Sequence, residues 1–386
     1  MTTPRTPALR ARTLGLFALL LAGAGASARA EDGVTPREVT LGMCNALTGP
    51  ASALGLGMKQ GATVYFDRLN AAGGVHGRKI RLISYDDGYE PKNTVERTRT
   101  LIKSDRVFAL FGYVGTPTAS AVLPDVNEAR IPFWGPFTGA EVLRSPVNRY
   151  VFNVRGSYHD EAELQVDELV DRRGLKRIGI LYQNDAYGLA VRSGILKALK
   201  RRKLEPVGEA TYERNTENVA EALAALRSAK PDAVSMVGTY KAMAAFIRAA
   251  RGEGFSPVFL NVSFVGTAAL VKALGGDGEG VLITQVMPSP TESQLPIVAR
   301  YRADMKAAGH KELDYTDLEG YVAAAVFAEA LRKAGPALTR ESFLAAAEWL
   351  RADLGGLTYA FSPTSHRGAE AVFLTKVSRG RTVPVR

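Results

Sequence analysis

Three short stretches bring hydroxyls, glycines and bare backbone together: Asn45-Ala46-Leu47-Thr48-Gly49-Pro50, Gly112-Tyr113-Val114-Gly115-Thr116-Pro117-Thr118 and Gly135-Pro136-Phe137-Thr138-Gly139. Where such loops open onto helices, hydroxyl and N–H donors converge on an electropositive helix start, a recipe for holding a carboxylate or another anion. A single loop of this kind is equally read as capping or turn chemistry. Three of them, each after an apolar run, point to a binding site. The chemistry they imply is recognition without bond breaking.

The signatures of catalysis and metal binding are missing. His76, His159, His310 and His366 are too dispersed for a paired ligand motif and read as surface residues, and no cysteine is near enough in sequence to complete a local zinc site. There is no Gly-x-Ser-x-Gly elbow and no Gly-x-x-x-x-Gly-Lys-Ser/Thr phosphate loop. Gly55-Leu56-Gly57 with Gly61 imitates a dinucleotide loop, but the final glycine is displaced by one residue, so these read as helix-start glycines. Asp86-Asp87 before Gly88 reads as a solvated turn at a strand end. The expectation is a protein that is not an enzyme and uses no cofactor and no metal.

The elements that position these loops alternate along the chain. Residues 39–43 read as a strand, and Met58, Ala62, Tyr65, Phe66 and Leu69 follow at helical spacing until residues 70–74 stop the helix. A strand at 79–85, a helix at 92–103 and a continuous apolar strand at 107–112 come next; then a helix at 119–129 and strands at 131–134 and 150–154. A second alternation has strands at 177–182, 233–237, 257–261 and 280–285, with helices at 188–200 and 218–228. After Pro288, Pro290 and Pro296 come helices at 297–308 and 318–333, then strands at 357–362 and 371–377. Strands alternating with helices predict an α/β, doubly wound architecture with two parallel sheets, whose ligands bind beyond the carboxyl ends of the strands.

The N-terminus reads as an address. Arg5, Arg10 and Arg12 precede an apolar run over residues 14–24, and Ala28-Arg29-Ala30 offers small residues for cleavage after Ala30. That run is roughly eleven residues long, against about 20 needed to cross a bilayer, so a cleaved signal peptide is expected over residues 1–30 and no direct membrane insertion. Its arginines, Arg29 included, contribute four of the formal charge of +10. The remaining positive charge is read as favouring solubility, and the basic stretch 197–203 as a solvated helix end without the interleaved aromatics of a nucleic-acid surface. Cys44, the only cysteine, excludes an internal disulfide and lacks a lipobox.

Leu47-Thr48-Gly49-Pro50, residues 70–77, Asp86-Asp87 with Pro91, and residues 112–118, 132–138 and 182–188 share an order and spacing, continued by Leu318-Glu319-Gly320-Tyr321 and Gly355-Gly356-Leu357. Together they resemble the branched-chain amino-acid-binding (Leu/Ile/Val-binding-like) family of ABC-transporter periplasmic solute-binding proteins, over essentially the whole chain after residue 30. The resemblance implies the type 1 periplasmic-binding fold: two doubly wound lobes with parallel sheets joined by three crossover segments, near Val154, Val286 and Leu357. The N-terminal lobe would comprise residues 31–154 plus 287–357, and the C-terminal lobe residues 155–286 plus 358–386. It further implies a periplasmic monomer that closes on a small-molecule ligand and hands it to the membrane permease of an ABC importer. The alternative partner is a membrane receptor or kinase, with the chain as its ligand-sensing accessory.

Site residues follow from the same resemblance. Thr116 occupies the position of the hydroxyl that binds the substrate carboxylate, with Thr118 beside it. The second carboxylate-binding threonine falls on Gly139, where the adjacent Thr138 could substitute, and the tyrosine that covers the ligand side chain becomes Leu54. The acid that accepts the ligand ammonium falls on Ser263. A serine cannot neutralise a buried cation, so a carboxylate-bearing or neutral ligand without the amine is expected. Tyr113, Phe137, Tyr158, Tyr187 and Tyr240 are the candidate walls.

Overall fold

The computed structural model describes residues 1–4 and 31–385, so the expected leader beyond residue 4, with its cleavage position at Ala30, lies outside the described residues. From Glu31 onward the chain is one compact unit. β1 (Glu38–Asn45), β2 (Lys79–Asp86), β3 (Ala109–Phe111), β4 (Phe133–Trp134) and β5 (Val151–Phe152) form a sheet in the order β2-β1-β3-β4-β5, every pair parallel. β6 (Ile178–Gln183), β7 (Gly208–Tyr212), β8 (Ala233–Val237), β9 (Val258–Asn261) and β10 (Leu282–Gln285) form the parallel part of a second sheet, ordered β7-β6-β8-β9-β10. β11 (Arg351–Asp353) and β12 (Thr358–Ala360) make a separate antiparallel ribbon, and β13 (Phe373–Ser378) and β14 (Arg381–Pro384) extend the second sheet antiparallel from β10.

Helices follow the strands as their amphipathic patterns require. The first sheet is served by α1 (Ser52–Ala71), α2 (Pro91–Lys103), α3 (Thr116–Ala121) and α4 (Leu123–Ala129). The second has α5 (Tyr158–Val166), α6 (Ala186–Arg201), α7 (Ala220–Ala229), α8 (Tyr240–Gly252) and α9 (Thr267–Leu274). α10 (Pro296–Ala307), α11 (Tyr315–Ala334) and α12 (Arg340–Glu348) close the chain. Capping boxes start α5 at Ser157, α11 at Asp314 and α12 at Thr339, each satisfying backbone donors that a helix start leaves open. The single helix expected over 119–129 begins earlier, at Thr116, and breaks at Val122, where Pro124 enters the first turn of α4 and cannot continue the α3 hydrogen-bond ladder.

The doubly wound arrangement expected from the alternation is present, and three passages of chain link the sheets. They lie side by side: a Cβ on Gly156 would stand 3.2 Å from Val372, 3.3 Å from the Ala371 carbonyl and 3.6 Å from Val286. β12 does not join the second sheet. Phe361 packs on Trp134 and Phe152, and the Gly368 N–H donates to the Asn153 carbonyl, so the third passage falls after Arg367 instead of near Leu357.

Two surface readings are corrected. His366 is buried, its ring stacked on Phe152 with centroids 4.0 Å apart and Nδ1 2.9 Å from the Val151 carbonyl oxygen. His159 is half-buried against Ser193. Asp87 is likewise buried, not solvated: its carboxylate accepts from the Tyr89 N–H at 2.8 Å and from the Thr94 hydroxyl at 2.9 Å.

Candidate functional site

In each sheet the strand order reverses direction beside the first strand of its series, and both reversals face the junction of the sheets. Between β1 and β3, Asn45 Oδ1 accepts the Val114 N–H at 2.8 Å, which ties two of the hydroxyl-rich loops together. Asp86 secures the third element of this rim, accepting from Leu47 N–H at 2.8 Å and from the Thr48 hydroxyl at 2.6 Å. Between β6 and β8, Gln183 Oε1 accepts the Tyr212 hydroxyl at 3.0 Å, and that hydroxyl accepts the Thr239 N–H at 3.2 Å. Open α/β sheets bind ligands at such switch points.

The two halves meet through aromatic rings. Tyr89 is held in the left-handed region at φ +62°, a conformation a bulky residue adopts only under constraint, here from the Asp87 turn. Gly115 (φ +106°) makes room for it, since a Cβ there would stand 2.3 Å from the Tyr89 ring. Phe264, just after β9, faces the Tyr89 ring at 6.1 Å, Phe137 at 5.4 Å and Tyr187 at 4.5 Å, and Tyr187 faces Tyr158 at 5.5 Å. Asp185 places Tyr187 by capping α6, accepting from its N–H at 2.9 Å. At the junction's edge Glu90 pairs with Arg214 at 2.8 Å and accepts from Asn215 Nδ2 at 2.7 Å, so the halves are in contact.

Under the rings lies a buried charge cluster. Arg155 is fully buried, with its guanidinium 4.6 Å from the centre of Phe137; it lies 3.6 Å from Glu161, 3.5 Å from Glu319, and donates to the Ser263 hydroxyl. Glu161 in turn accepts from Ser263 N–H at 2.8 Å, Ser263 Oγ at 2.9 Å and Thr284 Oγ1 at 2.6 Å. Burial opposes the charge on Arg155, but Glu319, Tyr158 and Glu161 outweigh it and hold the guanidinium above its ordinary range. Burial pushes Glu319 up to about 7, with Arg155 opposing and Glu161 adding to the rise. Arg144 is pulled down to about 10 by burial and then by Arg155, and spends its guanidinium on the carbonyls of Thr138, Ala140, Arg155 and Gly156. Several polar atoms here make no hydrogen bond: Arg155 Nη1, the hydroxyls of Tyr158 and Tyr187, and Arg155 Nε and Glu319 Oε1, which face each other at 3.5 Å.

The structure gathers part of the expected constellation. Thr116 and Thr138 are buried and share a hydrogen bond at 2.7 Å; Gly139 is close under Tyr158, whose N–H donates to the Gly139 carbonyl at 2.8 Å. Phe137, Tyr158, Tyr187 and Ser263 belong to the same cluster. Leu54 reaches across the junction to Gly266, where an added Cβ would stand 2.8 Å from it and 3.5 Å from Tyr240, which lies on the same side as Gly266. Tyr113 and Thr118 do not belong. Tyr113 points to the other face of the first sheet, packs on Phe133 and bonds Thr98 at 3.0 Å; Thr118 turns its hydroxyl back to the Val114 carbonyl at 2.5 Å. Arg155, Glu161, Glu319, Phe264 and Tyr89 were not anticipated. α3, at six residues, is too short to supply much of the helix-start field expected at Thr116.

A further buried carboxyl, Asp317 on α11, is pushed up to about 7 by burial and then by Asp314, while the Tyr301 hydroxyl donates to it. Its folded value lies above the unfolded one, so its contribution to stability is present below about pH 4 and is lost as pH rises through 7. We expect wild type to gain on Asp317→Asn by about 1–3 kcal/mol between pH 7 and pH 5, at most about 1.4 kcal/mol per pH unit. Paired urea titrations at the two pH values check this, and a difference that is flat or of opposite sign counts against a neutral buried carboxyl.

Comparison with known proteins agrees with this geometry. The family model described as periplasmic binding protein matches residues 38–382. A solved structure described as a possible leucine/isoleucine/valine-binding protein from Rhodopirellula baltica is similar at 35% identity and TM-score 0.87, covering 93% of this chain and 98% of its own. A substrate-binding periplasmic protein from Ralstonia solanacearum is similar at 33% identity and TM-score 0.84, covering 89% and 98%. An amino acid binding protein of Pseudomonas aeruginosa is 24% identical, covering 81% of this chain and 82% of its own.

Proposed function

Because this chain belongs to the periplasmic binding protein family, whose members bind solutes and are not enzymes, we propose that it is the exported solute receptor of an ABC importer. It closes around a small carboxylate-bearing or amino-acid-like ligand between its two lobes. The observation that carries the reading is the set of buried polar atoms that make no hydrogen bond, Arg155 Nη1 and the hydroxyls of Tyr158 and Tyr187, beside aromatic rings from both sheets. A buried donor or acceptor left unpaired costs roughly 1–3 kcal/mol, which a ligand returns by pairing with it. The Thr116–Thr138 pair offers one more hydroxyl proton at the same place, since only one of the two is used between them.

The lobes are residues 31–154 plus 287 to about 367, and 155–286 plus the remainder, with the three side-by-side passages as the hinge. Ligand bound to both lobes favours the closed form by its differential contacts, and the closed surface is what a membrane permease reads. The N-terminal residues 1–30 act as the leader that delivers a monomer to the periplasm. Mass spectrometry of small molecules released on denaturing the purified protein tests the reading, together with X-ray scattering before and after ligand is added back. A released carboxylate that compacts the stripped protein is the expected result. A stripped protein whose scattering profile is unchanged at saturation would overturn it.

A further inference from the structure

The solute-binding reading leaves open which group of the solute meets which residue, and on that reading the charge cluster decides it. We infer that Arg155 is the counter-ion of the ligand carboxylate and that the chain selects an aromatic carboxylate lacking an α-ammonium group. Arg155 is fully buried; its Nη2 donates to Ser263 and its Nε faces Glu319 at 3.5 Å, which leaves Nη1 free to donate to a carboxylate. The two tyrosine hydroxyls without partners, Tyr158 and Tyr187, stand on adjoining rings and can donate to the same anion.

An ammonium has no comparable place. Glu161 is already engaged: one oxygen accepts from the Ser263 hydroxyl and lies 3.6 Å from Arg155, and the other accepts from Ser263 N–H and Thr284. Glu319 Oε1 is unpartnered, but it lies against Arg155, with Arg144 also acting on it, so a third cation would enter beside two guanidiniums. Ser263 therefore does more than vacate an acid's position: its hydroxyl accepts from Arg155 and turns the spot where an amine would be received into support for a cation. The surroundings of the cluster are aromatic, supplied by Phe137, Phe264, Tyr158 and Tyr187, and favour an aromatic body over an aliphatic one.

Glu319 then acts as a competitor for Arg155. It is faced by Arg155 on the first passage, Glu161 from α5, Arg144 ahead of β5 and Tyr359 from β12. When ionised it holds Arg155 itself, and when protonated it yields Arg155 to the ligand, so carboxylate affinity falls as pH rises through about 7.

The test is calorimetry on protein stripped by unfolding and refolding, at pH 7, with 3-phenylpropanoate, its neutral amide, L-phenylalanine and L-leucine as probes. The expected result is 3-phenylpropanoate bound at least about a hundredfold tighter than the other three, the discrimination of a site built around one polar group. Affinity for 3-phenylpropanoate should weaken between pH 6 and pH 8, by up to about tenfold per unit, and Glu319→Gln should bind more tightly at pH 8 with that dependence abolished. Arg155→Lys, which keeps a charge beside Glu161, should lose about tenfold or more while unfolding near the wild-type midpoint. Phenylalanine or leucine binding as tightly as 3-phenylpropanoate, with compaction in scattering, overturns this assignment and leaves solute binding standing. Absence of binding by 3-phenylpropanoate also overturns it. If in addition no small molecule is released from the native protein and no probe compacts it, the solute-binding reading falls as well.

Discussion

Glu161→Ala should lower the stability of the folded protein by about 3–5 kcal/mol, the loss typical of removing one partner from a buried ion pair. The substitution strips Arg155 of a carboxylate at 3.6 Å and leaves the Ser263 N–H and the Thr284 hydroxyl without the acceptor they share. Arg155 and Thr284 cannot turn to water to compensate, because both are fully buried. Urea unfolding followed by far-ultraviolet circular dichroism measures the change. Replacing the cluster together, Arg155→Met with Glu161→Leu and Glu319→Gln, should recover part of the loss, since no lone charge is then left buried. A single-variant loss under about 1 kcal/mol would mean that Arg155 finds other partners, and the charge balance assigned to the cluster would be wrong.

That cluster also shows where sequence patterns stop being informative. The sheets were legible because each buried strand is a short apolar run and each helix repeats apolar residues every three or four positions, as with Met58, Ala62, Tyr65 and Leu69 on α1. Loop chemistry located Thr116, Thr138 and Phe137, since local order places them at strand ends. Side-chain direction was harder to read. Tyr113 follows Gly112 (φ +65°) at the end of β3 and packs away from the junction, and Thr118 folds back on its own turn, as threonines near helix starts often do. Ser263 lies in the charge cluster, but the carboxylate next to it comes from Glu161, 102 positions earlier on another element. No local spacing encodes such an encounter. It exists only once α5, β9 and β10 are packed together, which is also why Arg155, in a passage between sheets, carried no motif. His366 and residues 358–368 were misplaced for the same reason: their partners, Phe152 and Asn153, are distant in sequence.

The same dependence on distant packing makes one glycine substitution unusually damaging. α1 and α11 cross where Gly61 and Gly320 each face the other helix's backbone: a Cβ on Gly61 would lie 1.7 Å from the Asp317 carbonyl oxygen, and one on Gly320 would lie 2.2 Å from that of Met58. Backbone cannot rotate aside as a side chain can, so Gly61→Ala must push the helices apart. Alanine's helix preference, worth up to about 1 kcal/mol, acts in the opposite direction. The overpacking should outweigh it, giving a net loss of about 1–3 kcal/mol in urea unfolding. Gly252→Ala is the control: its Cβ would meet nothing within 4 Å, so that variant should be unchanged or more stable by about 0.5 kcal/mol. Because α11 also carries Glu319, a displaced α11 moves that carboxyl relative to Arg155, and Gly61→Ala should alter ligand affinity from a residue that touches no ligand. Equal stability of Gly61→Ala and wild type would show that the two helices stand farther apart than this contact requires, and the link from their crossing to the charge cluster would go with it.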